Sequence, residues 1–252
     1  MNIHHIRNAT LLLEYGGHSF LIDPFFADQG SMPAFPNTPN QELSNPLVPL
    51  PDKASEYLEV DAVFITHLHP DHFDEKAKEI LPTDIKIFVQ NQEDLKTVKQ
   101  EGFSNVHSFE KQVHIGDVTI NQTNGQHGRG DITKMTGPVS GMVFKHQEEQ
   151  SLYIAGDTVW CEDVEKALTA HSPDLIIVNS GAAQFLEGGP ITMTAEDIYN
   201  THQAAPNSNI IVVHMESLNH CLLSRKTLHS FLEENQLTSQ VIIPNDGERL
   251  SF

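Results

Sequence analysis

Apolar and polar residues along the chain fall into short runs with two different periods. Asn2 to Arg7, Thr10 to Tyr15 and His18 to Asp23 read as three short strands, and Gly16-Gly17 supplies the tight turn between the last two. An opening β-meander is predicted. Asp23-Pro24-Phe25-Phe26 ends it, and from Ala27 to Pro51 periodicity is lost in a segment rich in Pro, Asn, Gly and Ser. A loop of that length inside a compact domain is functional or disordered. Because it carries Met32, Phe35, Leu43, Leu47 and Val48, a partly ordered flap over a site is expected rather than a solvated excursion.

Strand-type and helix-type periods then alternate. Ala62 to Thr66 reads as a buried strand, Asp74 to Leu81 as a helix stopped by Pro82, Ile85 to Gln90 as a strand, and Gln92 to Glu101 as a helix closed by Gly102. Strands at Asn105 to Phe109, Val113 to Ile115 and Val118 to Thr123 lead into the glycine-rich loop Thr123 to Gly130. The second half repeats the idea, with strands at Val139 to Lys145 and Ser151 to Ala155 and a helix at Asp163 to Ala170. Strand Leu175 to Asn179, helix Ala195 to Ala204, strand Ile210 to His214, helix Arg225 to Asn235 and strand Val241 to Pro244 follow. Two halves built alike predict two sheets face to face with helices outside. No linker or short-period repeat interrupts the pattern, so a single domain over residues 1–252 is expected.

Thr66 to Asp74 changes the picture, because Thr66-His67-Leu68-His69-Pro70-Asp71-His72-Phe73-Asp74 sets three imidazoles and two carboxylates directly after a strand. Side chains two apart on an extended chain share a face, so His67 and His69 can grip one cation. Pro70 breaks the strand and turns Asp71 and His72 another way, toward a second cation. Neutral imidazole and carboxylate suit zinc, manganese or iron, and sites without cysteine are more often catalytic than structural. Further ligands must come from other strand ends. His127, after the glycine loop, Asp157, in Ala155-Gly156-Asp157-Thr158, and His214, after Ile210 to Val213, are the candidates.

Charge narrows the partners. With Lys+Arg 15 against Asp+Glu 34 the net charge is −19, a balance that repels nucleic acid and anionic membrane surfaces. The two cysteines, Cys161 and Cys221, form neither a metal-type pair nor a disulfide framework, and no run suits a signal peptide or a membrane span. A cytoplasmic protein acting on a small molecule is expected, free or as a homo-oligomer.

His67-x-His69-x-Asp71-His72, followed in order by His127, Gly156-Asp157-Thr158 and His214, resembles the signature of the metallo-β-lactamase fold superfamily. The resemblance implies an α/β fold, a four-layer αββα sandwich of two mixed sheets face to face with outer helices. It also implies a dinuclear metal hydrolase with two divalent ions. His67, His69 and His127 would hold one, Asp71, His72 and His214 the other, with Asp157 bridging. A shared carboxylate and hydroxide relieve the repulsion between close cations, and the hydroxide is the nucleophile. Asp71 can manage the proton, making Asp71 and Asp157 the catalytic carboxylates. Redox relatives carry Glu at the second ligand and a flavin domain; His69 and the chain length favour hydrolysis.

Asn8-Ala9-Thr10, Leu21 to Phe25, Gly137 to Phe144, Tyr153 to Thr158 and Asp174 to Asn179 look like the branch containing ascorbate-6-phosphate lactonase, although Asn8 stands where that branch has His. A small ester, lactone or phosphoester is therefore the expected substrate. Arg129, two residues past His127, could hold a phosphate or carboxylate, and His220 could orient a substrate oxygen. Asp23 suits a turn or an acceptor behind a metal-bound histidine. Two other readings stand beside this one: a phosphodiesterase of lipid or nucleotide headgroups, and a non-catalytic metal-binding or sensing protein.

Overall fold

The computed structural model describes residues 1–252, and its strands form two sheets of seven. The first begins as an antiparallel meander of β1 (Asn2–Arg7), β2 (Thr10–Tyr15) and β3 (His18–Ile22) and continues in parallel through β4 (Ala62–Ile65), β5 (Ile87–Val89) and β6 (Val106–Ser108). The second follows the same plan. Its β7 (Gln112–Ile115), β8 (Val118–Asn124), β9 (Ser140–Lys145) and β10 (Leu152–Ile154) are antiparallel, and β11 (Leu175–Asn179), β12 (Asn209–Val213) and β13 (Val241–Ile242) extend β10 in parallel. A last strand, β14 (Arg249–Ser251), pairs with β1, Asn2 facing Ser251. The helices are α1 (Glu75–Ile80), α2 (Gln92–Gln100), α3 (Thr133–Thr136), α4 (Glu162–His171), α5 (Ala195–Ala204) and α6 (Arg225–Glu234).

Alternation along each strand decides which layer its side chains enter. In β4, Ala62 and Phe64 join the core between the sheets with Phe20, Phe144 and Ile177, whereas Val63 and Ile65 face Ala77, Leu81 and Val98 on the helical side. β11 behaves alike: Leu175 and Ile177 point inward, and Ile176 and Val178 meet Val164, Leu168, Ile198 and Leu228 of the outer helices. Strands buried on both faces read as unbroken apolar runs. Four layers result, the αββα sandwich expected from the chain, and no helix is long and apolar enough to cross a membrane.

Predicted and observed elements differ mainly at their ends. The exceptions are β14, three residues too short to show a period, the 3-10 turn Ala54–Tyr57, and the turn Gly130–Ile132 that leads into α3, between the end of the glycine-rich loop and Val139, where the sequence predicts no element.

The stretch from Ala27 to Pro51 is an ordered flap. The wholly buried Arg7 guanidinium donates to the carbonyls of Phe25, Ala27 and Val48, each at 3.0 Å, and so clamps both ends of the loop. Asp74, one of the two carboxylates in the histidine-rich run, is also turned to this task. It caps α1 through the amide of Ala77 and accepts from the amides of Phe26 and Ala27. Farther along, Asn219 donates to Thr38 Oγ1 at 2.8 Å and to the Pro39 carbonyl at 2.7 Å, and its Oδ1 accepts from Asn45 Nδ2 at 2.9 Å. Beneath the flap, β4, β8, β10 and β12 end at the same side of the sandwich, and their carboxyl ends open into one cavity, the usual place for ligands in parallel sheets.

Candidate metal centre

The loops after those four strands bring all seven expected side chains together. His67, His69 and His127 form one cluster, and Asp71, His72, Asp157 and His214 form another. Within each, the donor atoms lie within 4.8 Å of one another. Asp157 links the two: its Oδ2 lies 3.2 Å from His72 Nε2, 3.6 Å from His214 Nε2 and 3.7 Å from His127 Nε2. Asp71 Oδ2 stands 3.1 Å from His214 Nε2.

Most of the candidate ligands are fixed from behind. Thr66 gives its amide and hydroxyl to Asp23, at 2.7 and 2.8 Å, and Asp23 Oδ2 accepts from His72 Nδ1 at 2.8 Å. Since the Thr66 hydroxyl donates to Asp23, the 3.1 Å contact with His67 Nδ1 leaves the ring as the donor. His127 Nδ1 donates to the Ile191 carbonyl at 2.8 Å. Fixing the proton on Nδ1 turns the Nε2 lone pair toward the centre. Asn179 Nδ2 donates to Asp157 Oδ1 at 2.7 Å, and Asn8 Nδ2 reaches the Asp71 carbonyl at 3.1 Å and its Oδ2 at 3.4 Å.

Backbone conformation completes the placement. Gly156 has φ +70, and a Cβ there would lie 2.5 Å from the Ser140 carbonyl, so the turn that delivers Asp157 requires glycine. His214 sits at φ +63, a left-handed conformation costly for a histidine, held by the bond from its amide to the Asn8 carbonyl at 2.8 Å.

The donor set fits divalent cations. Burial keeps His67 and His69 below the usual imidazole value and pushes His127 down to about 4, so these rings are neutral with free lone pairs. His67 Nε2 is buried with no hydrogen-bond partner, a costly state for an imidazole unless a metal takes the lone pair. In the second cluster burial would lower His72, yet Asp157, Asp23 and Asp71 raise it to about 10, and Asp157 and Asp71 lift His214 well above its usual value. Burial would likewise raise the Asp157 carboxyl, but His214 and His72 hold it well below the carboxylate range. Three buried carboxylates with no Lys or Arg among them call for positive charge, and cations supply it.

The cavity in front of the two clusters has a volume of about 230 Å³ and is walled by His69, Asp71, His127 and Asp157 on one side and by Phe35, Pro36, Phe185 and Ile191 on the other. His220 lines it too, its ring edge-on to Phe35 with centroids 4.9 Å apart and held neutral by burial that pushes it to about 4. Arg129 does not reach this cavity. Its guanidinium binds Asp197 Oδ1 at 2.6 Å and borders a separate groove alongside. Asn179 escaped the sequence reading as a site residue, although it ends a strand at the edge that carries the candidate ligands and was findable. Asn219 lies beside His220, and its part in fastening the flap shows only in the folded chain.

Residues 18–215 match the β-lactamase superfamily domain. Over its whole length the chain is 47% identical to the UPF0173 protein YddR of Bacillus subtilis (strain 168), covering 100% of both. An isothiocyanate hydrolase from Delia radicum gut bacteria has a similar structure, with TM-score 0.97 and 39% identity over 100% of this chain and 99% of that one. So has a possible metal-dependent hydrolase from Veillonella parvula DSM 2008, with TM-score 0.97 and 36% identity over the same shares.

Proposed function

The chain belongs to the UPF0173 family of metal-dependent hydrolases, within the β-lactamase superfamily, and on that premise we propose that it hydrolyses small uncharged electrophiles, isothiocyanates first among them. One observation carries the choice: the cavity facing the two clusters has an apolar far wall and no Lys or Arg on its lining. An anionic phosphoester or carboxylate would find no partner there except the ions. The likeness to an isothiocyanate hydrolase supports the same substrate class.

In this reading His67, His69 and His127 would hold one divalent ion and Asp71, His72 and His214 the other, and Asp157, grouped with the second cluster and 3.7 Å from His127 Nε2, would serve both. Bound there, the ions supply Lewis acidity and an activated water. The chain's own residues do the rest. Asp23, the Ile191 carbonyl and Asn179 keep His72, His127 and Asp157 aimed. Phe35, Phe185 and Ile191 exclude bulk water and pack the substrate's organic part, and His220 offers a neutral ring to its polar end. Water adds to the central carbon of R–N=C=S, the C=N π pair moves to nitrogen, and the water's proton reaches that nitrogen by way of Asp71 or Asp157, the carboxylates on the cavity wall. The thiocarbamic acid R–NH–C(=S)–OH so formed gives its hydroxyl proton to nitrogen as the C–N bond breaks, leaving R–NH2 and carbonyl sulfide.

The test is a panel of alkyl isothiocyanates, lactones, carboxylic esters and phosphodiesters given to protein of measured metal content. Isothiocyanate turnover that a chelator abolishes and added metal restores is the expected result. Preferential turnover of lactones would return the lactonase-like reading, and turnover of phosphodiesters alone would overturn the uncharged-substrate reading.

A further inference from the structure

Next to the cavity facing the two clusters lies a larger groove, of about 520 Å³, to which none of the seven candidate metal ligands contributes. We propose that this groove is the subsite for an apolar, uncharged substituent of the substrate, with Ile132, Met135, Phe185 and Leu186 setting specificity for its length. The proposal rests on the hydrolase reading above and deepens it.

Continuity is the first ground. Phe185 lines both the groove and the catalytic cavity, so a substrate held at the clusters has its free end directed along this ring. Behind Phe185 the wall is one packed unit, because Ile132, Ala183 and Ile191 form a single apolar cluster with it. Ile191 faces the catalytic cavity and, through its carbonyl, orients the His127 ring.

Exposure is the second. Met135 and Leu186, on the outer groove, are 69% and 68% exposed, the highest values among the large apolar residues the chain leaves in solvent. They do not dangle from a loose segment. The Leu186 amide donates to the Asn37 carbonyl of the flap at 2.8 Å, and Ile132 packs against Gly188, where an added Cβ would meet Ile132 Cδ1 at 3.1 Å. A rigid groove that presents apolar side chains to water gains by covering them.

Charge sets the chemistry of the occupant. Arg129, the one cation on the groove, is already neutralised by Asp197 at 2.6 Å, while Asp131 and Glu187 at its rim would repel an anionic tail. An alkyl chain fits both the lining and the charge.

The experiment compares kcat/KM across methyl, propyl, butyl, pentyl and hexyl isothiocyanate for the metal-loaded protein and for the double variant Met135→Gln, Leu186→Gln. Both residues are exposed, so the variant folds, and its melting temperature is recorded beside the wild type's. The expected result is a rise of about threefold to fourfold per methylene beyond propyl in the wild type and a hexyl-to-methyl ratio at least tenfold lower in the variant. Methyl turnover with no rise along the series overturns the groove proposal and leaves the isothiocyanate reading intact; so does a rise that the double variant leaves unaltered. If no isothiocyanate is turned over but an ester is, the isothiocyanate reading fails, and the same ratio measured on alkyl esters decides the groove separately. A dimer that dissociates in the variant while the length dependence is unaltered assigns the groove to a second copy of the chain and overturns the proposal.

Discussion

Asp23 holds Thr66 by two hydrogen bonds and His72 by a third, so a residue outside the cavity fixes how two neighbouring elements present their ligands. Asp23→Asn keeps the size and an acceptor for the His72 ring but removes the charge that pairs with it. Metal affinity is expected to fall about tenfold to a hundredfold with the fold retained, read by competitive metal titration beside far-UV circular dichroism. Unchanged affinity would show that His72 is held by Asp71 and Asp157 alone. The candidate ligands were legible because ligand geometry leaves a local trace: His67 and His69 two apart past the end of a strand, then a proline, then Asp71 and His72. His127, Asp157 and His214 were legible because each follows a buried strand. Asn8 and the Ile191 carbonyl act across long sequence separations and carry no spacing to read. Asp74, by composition a potential ligand, serves as a helix cap instead.

At the scale of elements, the flap is a fixed wall whose fastening is concentrated at Asn219 and Arg7. Asn219 lies next to His220 in the chain, and its bonds reach the part of the flap that supplies Phe35, Pro36 and Thr38 to the cavity. Asn219→Ala leaves buried amide and carbonyl groups of the flap unpaired, an expected loss of about 2–3 kcal/mol, read from urea midpoints. The flap should then become a protease target, and KM should rise more than kcat falls; the reverse split would place the flap in the chemistry rather than in binding. That the flap orders was suggested by its apolar residues. Its fastening was hidden, since Arg7 reads as the polar end of a strand and only the folded chain shows it enclosed by carbonyls.

For the molecule as a whole, histidines away from the site tie stability to pH. Burial is the main cause holding His4 and His5 below the usual imidazole value of 6.5, so the unfolded chain binds protons that the folded chain refuses. Stability from this source is complete above pH 6.5 and declines as pH falls through that value toward the folded ones. Urea midpoints of metal-loaded protein at a series of pH values should therefore drop on the acid side, and less steeply in His5→Gln; an equal slope would assign the drop to the site histidines. Strand and helix periods alone gave a mixed α and β protein built in two similar halves, and the αββα class came from the resemblance carried by the ligand order, whereas the closing strand β14 was too short to announce itself.

The ligands are shared between those halves. His67, His69, Asp71 and His72 hang from the first sheet, His127, Asp157 and His214 from the second, and the core lies between. Cations held at that place would rivet the seam of the sandwich. Stripping them should slacken the join between two slabs of the body as well as silence a pocket, so that a chelator lowers the urea midpoint together with turnover.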